Sequence, residues 1–283
     1  MANTGAYVPV FADRLTAASG VHSRLVVGID PHPYLLDEWG MGLAGFSRTC
    51  VRAFAGQVAM VKPQVAFYEQ AGSRGYSILE EMIGAFRDAG TLVLADAKRG
   101  DIGSTMKAYA GAWLMPGAPL EVDALTVSPY LGVGALAPAF ELAAEAGKGL
   151  FVLAATSNKQ AVRLQTAVTG DDVMVSQAVT DIVGAANRQY FAVGDGNRMG
   201  SFGVVLGATV KQPPAVNTLH GPVLLPGVGA QGATAEDVRK LMSGHVEWGF
   251  PNQSRSLLEA GPDPADLLKA AISAGRDYGG TAV

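Results

Sequence analysis

The chain has 283 residues, of which 49% are apolar and 16% charged, with a formal net charge of −4. That composition supports a large buried core and excludes both the basic footprint of a nucleic-acid binder and a charged interaction tail. Asp13 and Arg14 interrupt the only apolar stretch near the N-terminus, and no run approaches 18 apolar residues, so neither a secretory leader nor a membrane span is expected.

Residues 8–18 read as a short amphipathic helix ahead of the first strand. Residues 25–30 (LVVGID) form an apolar run that ends in Asp30, with Pro31 next. A helical pattern over about 43–58 holds the single cysteine, Cys50, as a small core residue. One thiol makes no internal disulfide, which fits a reducing, cytoplasmic compartment. Residues 59–64 are a second apolar run, closing on Lys62 and Gln64, and 68–88 are helical by pattern. The third strand, 91–98, ends in Asp96 and Lys98, and helical signals return at about 103–114.

The fourth strand covers 124–129, followed by a Gly/Ala-rich helix to about residue 146. The fifth, 149–157, ends in Thr156 and Ser157. Residues 158–170 read as a loop and 172–191 as a helix. Strands follow at 203–208 and 222–227, then a short helix at 234–243, a weaker strand at 246–252 and a last helix at 263–276. Each of the four histidines (His22, His32, His220, His245) stands apart from any metal-ligand spacing and reads as a surface or packing residue.

Eight short apolar strands alternating with helices predict a parallel sheet covered by helices on both faces. Eight such units in a chain of this length predict a (β/α)8 barrel, a fold of roughly 250 residues. No Pro/Ser-rich linker divides the chain, so residues 1–283 are read as one barrel domain with a short N-terminal helix. A doubly wound sheet is the alternative, and it needs a strand-order reversal.

A barrel carries its function at the carboxyl ends of its strands. Here the first three strands end in Asp30, in Lys62 and in Asp96 with Lys98. Taken singly, Asp30 before Pro31 reads as a turn residue and Lys62 as a lysine that snorkels to solvent. Three successive strand ends bearing ionisable groups read instead as a site. Strand side chains alternate, so Asp96 and Lys98 face the same way, an acid beside an amine; Asp101 follows just past Gly100. Burying such charges costs several kcal/mol each unless they are paired or used. The Gly-rich turn at 226–232 (PGVGAQG) and the polar turn at 252–256 follow strands seven and eight, where barrels commonly hold phosphate. Arg255 supplies a bidentate partner for such an anion. The 227–232 segment also matches G-x-G-x-x-G, with Glu247 downstream. It falls in the seventh of eight units, whereas a dinucleotide fingerprint opens a doubly wound domain, so that reading is set aside. There is no nucleophile–base pair and no P-loop.

Together these residues resemble the orotidine 5′-phosphate decarboxylase family over most of the chain. The motif D-x-K-x-x-D followed by I-x-x-T appears as Asp96, Lys98, Asp101, Ile102 and Thr105. VKPQ at 61–64, GIDP at 28–31, PGVGAQG at 226–232 and Arg255-Ser256 complete five motifs in order. Their wording is similar to the longer bacterial branch, type 2. The resemblance implies a (β/α)8 barrel, a homodimer with shared active sites, no cofactor and no metal, and the cofactor-free decarboxylation of OMP to UMP and CO2, the last step of UMP synthesis. It implies roles as well: Lys98 protonates C6, Asp96 sits by the substrate carboxylate, Lys62 holds the charge array, and Asp101 with Thr105 reaches the partner's site. Asp30 binds a ribose hydroxyl, Ser157 and Gln231 contact the pyrimidine, and Gly229, Gln231 and Arg255 belong to the phosphate end. Two rivals stand beside it. One is a Mg-dependent phosphosugar decarboxylase or aldolase of the same barrel superfamily, which needs an acid where this chain has Lys62. The other is a non-catalytic phosphate-ligand binder, which has no use for the charge array.

Overall fold

In the computed structural model, which describes residues 9–193, 198–229, 232–242 and 244–280, eight parallel strands close into a barrel in sequence order, β1 to β8. The first half runs α1 (Phe11–Val21), β1 (Val26–Ile29), α2 (Pro33–Glu38), α3 (Leu43–Phe54), β2 (Met60–Pro63), α4 (Val65–Glu69), α5 (Gly72–Asp88), β3 (Leu92–Arg99), α6 (Gly103–Leu114) and β4 (Ala124–Val127). The second runs α7 (Ala137–Glu145), β5 (Gly149–Ala155), α8 (Val162–Gln165), α9 (Val175–Tyr190), β6 (Phe202–Leu206), β7 (Val223–Pro226), α10 (Ala235–Leu241), β8 (Gly249–Gln253), α11 (Arg255–Leu258) and α12 (Pro264–Gly275). Closure is made by β8 on β1, with Val26 opposite Asn252. The barrel excludes the doubly wound alternative, because no strand order reverses.

Continuous apolar strands become buried on both faces, as the sequence predicts: β1, β2, β4 and β6 are buried at every position. Aromatic rings fill the space between strand and helix, with Phe140 and Phe191 set edge-on to Phe202 at 4.7 and 5.0 Å between centroids. A fully buried ring such as Phe202 contributes about 1.5–3 kcal/mol. Cys50 lies fully buried in α3, and burial pushes its thiol up.

The strand amino ends are closed by α1. Phe11 lies edge-on to Phe151 in β5, Ala12 N donates to Ser201 Oγ (3.1 Å), and Arg14 pairs with Asp123 ahead of β4. That end is therefore a packed floor, and the open end is the one at the strand carboxyl termini.

Several boundaries differ from the sequence reading. The N-terminal helix begins at Phe11 rather than residue 8. The helix expected at 68–88 is two helices, divided where Gly72 takes φ +60°. The stretch 158–170, expected to be a loop, contains a 3-10 turn and α8. The eighth strand starts at Gly249, because Val246–Trp248 coil into a 3-10 turn first. Strand five stops at Ala155, so Thr156 and Ser157 lie beyond its end.

Candidate active site

Asp96 is the hub of the open end. Its Oδ2 accepts from Lys62 Nζ on β2 (2.8 Å) and from Gln64 Nε2 (2.9 Å). Its Oδ1 accepts from Lys98 Nζ (2.5 Å) and from Thr126 Oγ1 on β4 (3.1 Å). The acid and the amine of β3 do come together, but not by simple strand alternation. The register with β4 pairs Ala95 with Leu125 and then Arg99 with Val127, so Asp96, Ala97 and Lys98 all stand opposite Thr126. Lys98 itself has φ +49°, which is left-handed backbone. A bulge of this kind re-aims side chains beside a site.

Burial alone would raise the Asp96 carboxyl, but the charges of Lys62 and Lys98 outweigh it and hold the group well below the usual carboxylate range. Lys62 is 3% exposed. Burial presses its ammonium toward the neutral form, and the carboxylates of Asp96 and Asp30 more than compensate, so its value is raised. The pair is thus ionised and mutually dependent. Lys98 is different: its side chain is 46% exposed. The array is a buried Lys62–Asp96 pair carrying a half-open ammonium on top.

These groups face a cavity of about 280 Å³ at the strand carboxyl ends. Asp30, Lys62, Asp96, Lys98 and Arg255 all line it, so the structure brings together five residues picked out from the sequence. Asp30 Oδ1 is buried and takes no hydrogen bond, which leaves an acceptor for a ligand hydroxyl. Arg255 opens α11, and with Gly227 and Val228 it forms the wall opposite β3. Gly229 is not part of the lining, but it sets the loop. It has φ +77°, and a Cβ there would stand 3.3 Å from Ser256 Oγ, so only glycine lets the turns after β7 and β8 meet this closely.

Asp101, Thr105 and Ser157 are also outside the lining. Asp101 Oδ1 accepts from Ile102 N (2.7 Å), and Thr105 is exposed on α6. At β5 the cavity is lined by Thr156, the neighbour of Ser157. Gln231 lies outside the described residues. Sequence reasoning missed Thr126 and did not single out Asn252, a buried residue of β8 that lines the cavity and donates from Nδ2 to Val26 O (2.9 Å). The signal for Thr126 was one hydroxyl in the otherwise apolar β4. Among the described residues no group of three or more His, Cys, Asp or Glu is arranged to hold a metal ion.

Residues 23–271 match the model of the orotidine 5′-phosphate decarboxylase / HUMPS family. A Corynebacterium glutamicum (strain R) protein named orotidine 5′-phosphate decarboxylase is 52% identical over 275 residues, covering 95% of this chain and 98% of that protein. A Salinispora tropica protein of the same name is 49% identical over 267 residues, covering 92% and 94%. The crystal structure described as a putative orotidine 5′-phosphate decarboxylase from Streptomyces avermitilis superposes with a TM-score of 0.90 at 45% identity, covering 98% of this chain and 97% of that one.

Proposed function

Because the chain belongs to the orotidine 5′-phosphate decarboxylase / HUMPS family and is a carboxy-lyase of pyrimidine biosynthesis, acting as an orotidine 5′-phosphate decarboxylase, we propose that CO2 leaves beside Asp96 and that Lys98 supplies the proton that replaces it. One observation carries this reading: a single carboxylate gripped by a buried ammonium at 2.8 Å and a half-exposed one at 2.5 Å, at the mouth of the barrel cavity.

The substrate carboxylate sits near Asp96. Two carboxylates about 4 Å apart repel by roughly 4 kcal/mol at an effective dielectric near 20. As the C6–carboxylate bond breaks, CO2 departs and the bonding electron pair stays on C6. The Lys98 ammonium lies where that negative charge develops, so it stabilises the transition state more than the ground state. It then gives its proton to C6 and recovers one from solvent. Lys62 holds Asp96 ionised and in place. Asp30 takes a ribose hydroxyl. Arg255 and the backbone of the Gly227–Gly229 turn take the phosphate, with Ser157 and Gln231 toward the pyrimidine. Phosphate contacts far from C6 supply remote binding energy to orient the reacting group. The reaction proceeds without metal or cofactor. The two cations already bound to Asp96 support this, since a divalent ion there would face both of them.

The active unit is a homodimer, with Asp101 and Thr105 serving the partner's site. What supports it is their position outside this chain's own cavity, next to the loops after β3 and β4. Those loops meet at Arg99 O and Ser128 N (2.8 Å) and carry exposed Ile102, Tyr130 and Leu131. The whole chain works as one barrel domain, and the reduced, buried Cys50 is in keeping with the cytoplasm.

The test is to mix the purified protein with orotidine 5′-phosphate, without added metal, and follow the loss of the orotate absorbance. Lys98→Ala should lose turnover by at least the 10²–10⁴-fold that a general acid contributes, while a nucleotide monophosphate still binds. Near-normal turnover in that variant rejects the assignment of Lys98.

A further inference from the structure

We propose that Thr126 is a positioning residue of the decarboxylation: its hydroxyl fixes both the backbone of Lys98 and the carboxylate to which the Lys98 ammonium is bound. The inference rests on the reading of Lys98 as the proton donor.

Thr126 is the one hydroxyl in β4 and is 1% exposed. A buried hydroxyl must be bonded or it destabilises the fold. Its partners are specific. Thr126 Oγ1 accepts from Lys98 N (2.9 Å) and lies 3.1 Å from Asp96 Oδ1. The direction of both bonds follows from the groups themselves. A backbone N–H only donates and an ionised carboxylate only accepts, so the single hydroxyl proton goes to Asp96.

The bulge makes this hydroxyl necessary. With three residues of β3 opposite one of β4, the Lys98 N–H has no ladder carbonyl to meet. The Thr126 side chain takes the place of that missing acceptor. Lys98 is held meanwhile at φ +49°, a conformation a lysine keeps only when its surroundings impose it. Downstream the chain is caught again by β4. Ser128 N donates to Arg99 O (2.8 Å), and Gly100 lies so close that a Cβ would sit 2.4 Å from the Ser128 carbonyl oxygen. Thr126 is the contact in the middle of the bulge, between the Ala95–Leu125 and Arg99–Val127 pairs of the ladder.

The bonds form a closed circuit. Lys98 N donates to Thr126 Oγ1, Thr126 Oγ1 donates to Asp96 Oδ1, and Lys98 Nζ donates to that same Oδ1. One hydroxyl therefore ties the two ends of the same lysine to a common oxygen. Thr126 is absent from the cavity lining, so it acts through Lys98 and Asp96 rather than on the substrate.

The experiment compares Thr126→Val, which keeps the shape and deletes the hydroxyl, with Thr126→Ser, which keeps the hydroxyl and deletes the methyl. Steady-state decarboxylation, UMP binding and thermal melting are measured on both, with Lys98→Ala alongside. Misplacing a reacting group by about 1 Å costs on the order of a hundredfold, so kcat of Thr126→Val should fall about a hundredfold while KM and UMP affinity stay within about threefold. Thr126→Ser should keep kcat within about threefold of the parent, because the hydroxyl circuit is restored. A loss of packing alone would lower the melting temperature of both without this split between kcat and KM. Full kcat in Thr126→Val, or a Thr126→Ser variant as slow as it, overturns the inference. If Thr126→Val does not fold, Thr126→Ala takes its place with the same expectation. Failure of both to fold assigns Thr126 to stability alone and also overturns it. An inactive parent, or an active Lys98→Ala, instead removes the reading of Lys98 on which the inference stands.

Discussion

Asp96→Asn removes one charge and almost no volume, so its effects follow from electrostatics. Lys62 is 3% exposed and its ammonium is 2.8 Å from Asp96 Oδ2. Without that carboxylate, Asp30 is the one acid left acting on it. Removing one partner of a buried pair costs about 3–5 kcal/mol, and the amide still accepts a hydrogen bond, which favours the lower figure. The Lys98 arm is half-exposed and solvent-screened, so it adds less than about 1 kcal/mol. At about 2 °C per kcal/mol for a chain of this length, melting should drop by roughly 6–8 °C at pH 7, with turnover lost as well. Scanning calorimetry measures the first and orotate absorbance the second. Adding Lys62→Met removes the stranded ammonium, so the double variant should melt above Asp96→Asn yet stay inactive. A single variant melting within about 2 °C of the parent, or a double variant melting lower still, would refute the reasoning, since about 1 kcal/mol or less would then be at stake.

The pH dependence of that stability difference has a definite sign. The Asp96 carboxyl is depressed in the fold, so its contribution is present above its unfolded value, about 3.9, and is lost as pH falls through the folded one. The Lys62 ammonium is raised, so its contribution is whole below about 10.4 and is lost as pH rises through the folded value. The melting difference between the parent and Asp96→Asn should shrink below about pH 4 as Asp96 takes a proton, and should also shrink on the alkaline side as the stranded Lys62 of the variant sheds its proton; a difference that grows as pH rises above about 7 would refute the assignment. Arg255→Ala should raise KM for orotidine 5′-phosphate by about tenfold or more, the scale of a lost charge-assisted contact, and matter far less for orotidine without its phosphate. Equal losses on both substrates would remove the phosphate role. Mixing inactive Lys98→Ala with inactive Asp101→Ala should restore activity, because a mixed dimer holds one site with both residues intact. No recovery after subunit exchange, verified by native mass spectrometry, would mean that Asp101 serves its own chain.

The sequence by itself determined the eight apolar strand segments and the ionisable residues at the ends of the first three, while closure of the barrel in sequence order set aside the doubly wound alternative. Continuous apolar runs such as 25–29 and 202–206 bury on both faces wherever they pair, and Asp30, Lys62, Asp96 and Lys98 mark the strand ends where charge replaces apolar side chains. Those are local properties, written in adjacent residues. The division of 68–88 comes at the left-handed backbone of Gly72, and the helical turn inside 158–170 and the late start of β8 are seen only in the structure. Tertiary structure alone decided that Asp96 and Lys98 meet across a bulge rather than by strand alternation, that Thr126 closes their circuit, and that Asp101 and Thr105 fall outside the cavity that holds Asp30 and Arg255. The reason is physical: a register shift depends on which residue of the neighbouring strand stands opposite, and no stretch of one strand carries that information.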